Sequence, residues 1–130
     1  MTLFLDNIKN NQFLKTLFPD GIKQLSLGNL ELLQDSVKIA IHANLKPHKG
    51  TTKWGEWGKD YNVVVIHLSV QFLHSCQVKD WQKNLEYEIC EFDFRINNDL
   101  KEMKFFGQNW EAIIAGKSLI FQKCSTYLRG

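Results

Sequence analysis

Val37-Lys38-Ile39-Ala40-Ile41-His42-Ala43-Asn44-Leu45 decides the class of this chain. Val37, Ile39, Ile41, Ala43 and Leu45 alternate with Lys38, Ala40, His42 and Asn44. A period of two lines one face of a β-strand with apolar groups and leaves the other wet. Half-wet strands belong to antiparallel sheets. Residues 61–72 read as a second, stronger strand, whose Val63-Val64-Val65-Ile66 run predicts a central strand covered on both faces. Gln34-Asp35-Ser36 supplies the turn before the first strand.

Upstream, Ile8, Phe13, Leu14, Leu17 and Phe18 suit one face of a helix over residues 7–18, with Asp6 as N-cap and Pro19-Asp20-Gly21 as the stop. Leu25 and Leu27, then Leu30 and Leu32, flank Gly28-Asn29, a dipeptide suited to a tight hairpin. Downstream, His74-Ser75-Cys76 resembles a turn, and residues 76–81 a short strand. Leu85, Tyr87 and Ile89 alternate on one parity, whereas Cys90, Phe92, Phe94 and Ile96 alternate on the other. That switch predicts a bulge near Ile89-Cys90 or a strand covered on both sides. Asn97-Asn98-Asp99 marks a turn. Residues 103–106, 110–115 and 119–128 supply the last strands, with Ala115-Gly116-Lys117 at a hairpin tip. The expectation is a mainly β (α+β) protein of seven to nine strands and one short N-terminal helix. Its sheet should be antiparallel and strongly bent, as a sandwich or half-barrel.

The 130 residues, 44% of them hydrophobic, suit one domain over residues 1–130 and exclude a disordered chain. Sixteen Lys and Arg against fourteen Asp and Glu leave +2, too little to announce nucleic acid or an anionic membrane. Met1-Thr2-Leu3-Phe4-Leu5-Asp6 lacks the basic start and apolar run of a secretory signal. No window approaches the roughly 18 apolar residues of a membrane span. A cytoplasmic protein without membrane partners is expected. Cys76, Cys90 and Cys124 are odd in number and widely spaced, which argues against zinc or a disulfide framework and for free thiols on strands.

Catalytic patterns are sparse. Gly55-Glu56-Trp57-Gly58 lacks the strand-to-helix context of a phosphate-cradling loop. His67 and Ser69 share a strand face, as a base and nucleophile can and as two ordinary outer-face residues also do. His42 lies on a wet parity, His48 in a loop and His74 at a turn. No enzyme, cofactor or metal is expected.

Charge is segregated along the chain. Residues 79–102 hold seven acids against four bases, net −3, and residues 37–60 hold five lysines against two acids, net +3. Segregated charge favours steered association with a partner. Glu86 and Glu88 should share one strand face, and Glu91 and Asp93 another. They read as a solvated acidic face or as a docking patch for a basic protein. Residues 47–60 form the longest irregular stretch, and its lysines interleave with Trp54, Trp57 and Tyr61. These aromatics can stack on nucleic-acid bases, form a protein-binding hot spot, or fold back to plug the end of the sheet. Two arginines in the whole chain count against direct nucleic-acid recognition.

Pro47-His48-Lys49-Gly50 through Lys53-Trp54-Gly55, running into Asn62-Val63-Val64-Val65, resembles the small immunity proteins of contact-dependent growth inhibition and related polymorphic toxin systems. Leu17-Phe18-Pro19 and the strand after Asp35-Ser36 add to the likeness, which covers most of the chain in layout. The resemblance implies a cytoplasmic bacterial protein that neutralises one cognate toxin domain, often a nuclease acting on tRNA or DNA. It would do so by occluding the toxin's active site, without catalytic residues or a cofactor of its own. Glu86, Glu88, Glu91 and Asp93 would then carry the charge, with Trp54, Trp57 and Tyr61 as anchors. A second function class is a single-stranded RNA-binding module built on Trp54, Trp57 and Tyr61, and a third is a small hydrolase-like enzyme built on His67 and Ser69 or a cysteine.

Overall fold

A computed structural model describes residues 3–49 and 51–130. Met1 and Thr2, read above for a leader, and Gly50, part of the aromatic loop and of the resemblance, lie outside the described residues.

The alternating stretch forms β3 (Ser36–Ala43), with Val37, Ile39, Ile41 and Ala43 buried as expected. It pairs antiparallel with β2 (Leu25–Leu32) on one side and with β4 (Val63–Lys79) on the other. Val63 to Ile66 are buried on both faces of β4, Val64 and Ile66 in the main core and Val63 and Val65 in a small cluster with Ala40 and Tyr127 on the other face. The sheet continues through β7 (Glu111–Tyr127), β6 (Leu100–Phe106) and β5 (Glu91–Asn97), in the order β2-β3-β4-β7-β6-β5. It is one mainly antiparallel sheet that does not close, and among the described residues no second sheet makes a sandwich.

Four local expectations are corrected. Residues 7–18 are not one helix: α1 (Leu3–Asp6), β1 (Ile8–Lys9) and α2 (Gln12–Leu17) replace it. Ile8 and Lys9 pair parallel with Leu119 and Ile120 of β7, further along that strand than its pairing with β6 ends. The N-cap of α2 is Asn11 rather than Asp6, which forms an ion pair with Lys15 at 2.6 Å. Gly28-Asn29 is a β-bulge within β2, not a hairpin turn. Likewise β4 runs through His74-Ser75-Cys76 with a register shift between Leu73 and Ser75, where Phe72 takes φ 53°. Finally, Gly116 lies within the continuous strand β7, opposite Leu73 on β4 and Lys101 on β6. A Cβ there would come 2.6 Å from Val70 Cγ1 and 3.0 Å from the Gln71 carbonyl, so the glycine marks close backbone approach.

The apolar core lies on one face of the sheet. Val64, Ile66, Leu68 and Val70 of β4 join Met103, Phe105 and Ile114, and the N-terminal segment covers them with Phe4, Leu5, Ile8, Leu14, Leu17 and Phe18. Phe4 packs on Phe92 at 4.8 Å between ring centroids, and Phe92 packs on Phe105 at 4.9 Å. The two edges of the open sheet are bridged around that filling by the segment that precedes β5, not by pairing of the edge strands themselves. The Cys90 amide, one residue before β5, donates to the Leu25 carbonyl of β2 at 3.0 Å. The result is a half-barrel whose sheet stays open between β2 and β5, with the segment before β5 bridging that seam.

Candidate functional site

The seam is built by residues 84–94. Asn84 adopts the left-handed conformation, which Asn tolerates better than most residues. It opens a 3-10 turn (Leu85–Tyr87) whose Leu85 is buried in the core. Buried Ser26 of β2 donates its hydroxyl to the Glu86 carbonyl at 2.7 Å, which ties the turn across the sheet edge. The parity switch near Ile89-Cys90 is therefore a change of element from 3-10 turn to strand, neither bulge nor doubly covered strand. Glu86 and Glu88 do not share a strand face: Glu86 lies in the turn and Glu88 caps its C-terminus. Glu91 and Asp93 do lie on one strand, β5.

Tied down at Ser26, Leu85 and Cys90, the segment presents the residues between. Tyr87 is 50% and Ile89 59% exposed, with Glu88 and Glu91 exposed beside them. A cleft of about 240 Å3 follows, walled by Asp20, Lys23 and Leu25 on one side and by Cys90, Glu91, Phe92 and Asp93 on the other. Three carboxylates and one lysine therefore line it, with Glu91 and Asp93 across from Lys23. Asp93 receives a hydrogen bond from Arg95 at 3.1 Å, and Arg95 lies 3.9 Å from Glu102. Both contacts are exposed and hold the side chains only weakly.

The aromatic loop turns inward. Trp54 meets Phe13 and Tyr61 edge-on, each at 5.8 Å, and Trp57 meets Tyr61 at 5.3 Å. Tyr61 is only 3% exposed, and burial raises its hydroxyl pKa. Trp54 and Trp57 are half-buried against the core, so these rings cap one end of it.

The acidic ridge and the aromatic loop are joined through Asn62 and Arg129, neither of which the sequence marked as a site residue. Asn62, next to Tyr61, accepts the Arg129 amide at 2.7 Å and donates to the Arg129 carbonyl at 2.9 Å. Arg129 then lays its guanidinium 4.8 Å over the Tyr87 ring and donates to the Tyr87 carbonyl at 3.0 Å. Asn62 belongs to the stretch that carries the resemblance, but no spacing in the sequence relates it to Arg129. Their meeting depends on the register that sets Val63 of β4 opposite Tyr127 of β7.

The remaining candidates have structural partners. Ser69 is buried and accepts from Gln71 at 3.1 Å, whereas His67 lies 3.2 Å from the hydroxyl of Ser125. Burial pushes the thiols of Cys76, Cys90 and Cys124 up, to about 11 for Cys90 and about 12 for Cys124, so they stay protonated near neutral pH. Among the described residues no group of three His, Cys, Asp or Glu is placed to hold a metal ion, and no helix is long and apolar enough to cross a membrane. The chain matches no protein-family model, and neither the curated proteins nor the solved structures contain a significant match to it.

Proposed function

We propose that this protein works by binding: it is an immunity-type inhibitor that docks residues 86–93 on one cognate bacterial toxin domain in the cytoplasm. The toxin is a nuclease of the tRNA- or DNA-cleaving class, and docking occludes its active site or substrate surface. The observation that carries this reading is the exposure of Tyr87 and Ile89 between Glu86, Glu88 and Glu91 on a segment anchored by Ser26 and Cys90. Rigid aromatic and aliphatic anchors give affinity when a partner buries them. Carboxylates around them steer a positively charged partner, and a nuclease cleft is positive because it must hold phosphates. The aromatic loop suits an RNA module less well, since Trp54, Trp57 and Tyr61 pack against one another and Phe13.

The test is co-expression with the product of the reading frame immediately upstream. A 1:1 complex and rescue of growth are expected. Tyr87→Ala should weaken the complex at least tenfold, and Glu88→Lys with Glu91→Lys should slow association most at low salt. A product that neither binds nor is neutralised overturns the reading.

A further inference from the structure

The face of the sheet turned away from the main core carries a groove of about 410 Å3, within the usual size range of small-molecule sites. Four strands wall it: Glu31 from β2, Lys38 and His42 from β3, His67 from β4, and Lys123 and Tyr127 from β7. Ala40 and Val65 give it an apolar floor. They belong to a small cluster with Val63 and Tyr127, separate from the main core.

His42 and Tyr127 are held in place, and Lys38 and Lys123 are exposed side chains on the groove walls. His42 lies against Gly28, where a Cβ would come 2.1 Å from its Nε2. Its Nδ1 is 3.0 Å from the Tyr127 hydroxyl, and the two rings meet edge-on at 5.6 Å. Ala40 stands opposite His67, and His42 opposite Val65. The two imidazoles are therefore diagonal neighbours on one face, with Cα atoms about 7–8 Å apart. Lys123 stands directly opposite His67 across the β4–β7 ladder.

The surroundings are electropositive. Lys38 and Lys123 face a single carboxylate in the groove, Glu31, which stands opposite Lys38; Glu86 lies beyond Tyr127. His67 is held below the ordinary imidazole range by burial and by the Lys123 charge, and His42 by burial and by His67. An anion in the groove relieves that crowding of positive charge.

We propose that this groove binds a mononucleotide-sized organic phosphate. Lys38 and Lys123 contact the phosphate oxygens, with His67 and the Tyr127 hydroxyl as further donors, and the organic part covers Ala40 and Val65. A phosphate offers several strong acceptor oxygens to donors converging from different strands, which a single carboxylate does less well. The site uses the face opposite the core and needs neither Tyr87 nor Ile89, so it stands or falls apart from the docking ridge.

The experiment titrates the full chain with adenosine monophosphate, and separately with inorganic phosphate, following the ring-proton resonances of His42 and His67. Saturable shifts are expected with both, and tighter binding of the mononucleotide. Lys38→Ala with Lys123→Ala should weaken it about tenfold or more. Tyr127→Phe, which keeps the ring over the floor, should weaken it by a smaller factor. An unchanged thermal midpoint shows that each variant remains folded. Failure of the mononucleotide to give saturable shifts, equal affinity for inorganic phosphate, or full affinity in the double-lysine variant overturns the proposal.

Discussion

His42 occupies its place because residue 28 has no side chain. The ring fills the volume a Cβ on Gly28 would take, and Tyr127 anchors its other nitrogen. Burial and the neighbouring His67 disfavour the charged imidazole, so its pKa is lower in the folded chain than in the unfolded one. Below the unfolded value of about 6.5, the unfolded state binds more protons. Stability is therefore present above that pH and is lost as the pH falls through 6.5 toward the lowered folded value. Urea midpoints measured between pH 7.5 and 5 should fall with pH, and His42→Gln should flatten the slope. An unchanged slope in that variant refutes the assignment to His42. Strand parity already places His42 on the outer face, whereas Tyr127 comes from the far end of the chain, and no local pattern announces it.

The strands were legible as alternation, and their lengths were not. Glycine is the residue most easily misread here, because one residue type serves turns, bulges and close contacts alike. Gly28 and Gly116 look like loop signals in sequence, yet both sit inside strands beneath a neighbouring group. Local spacing cannot reveal that neighbour. Gly116→Ala should cost about 1–3 kcal/mol, because Val70 and the Gln71 backbone must move together. Chemical denaturation would show it, and a neutral outcome would mean that β4 and β7 are free to separate there. The helix reading of residues 7–18 failed for a related reason. Ile8 and Lys9 satisfy their backbone groups on β7, and tertiary pairing outweighs a weak helical preference.

Across the whole molecule, one apolar cluster draws on the N-terminal segment and on every strand except β5, whose Phe92 and Phe94 pack against it. Such a core should melt as a unit. Phe105→Ala should lower stability by about 3–5 kcal/mol, with far-ultraviolet circular dichroism and tryptophan fluorescence changing at one urea concentration. Two separated transitions would contradict a common core. The segregated charges of the sequence take their physical form at the same scale. The acidic run becomes a ridge only because Ser26 and Leu25 hold it across the seam.

The mainly β, antiparallel character, the central place of Val63 to Ile66, and the Asn97-Asn98-Asp99 turn followed from the sequence alone. Each rests on side-chain period or turn chemistry within a few residues. Only the tertiary structure decided the half-barrel seam, the continuity of the two 17-residue strands β4 and β7, the junction at Arg129 and the groove at Tyr127. These depend on register between segments far apart in the chain, because register brings side chains together that no local spacing relates.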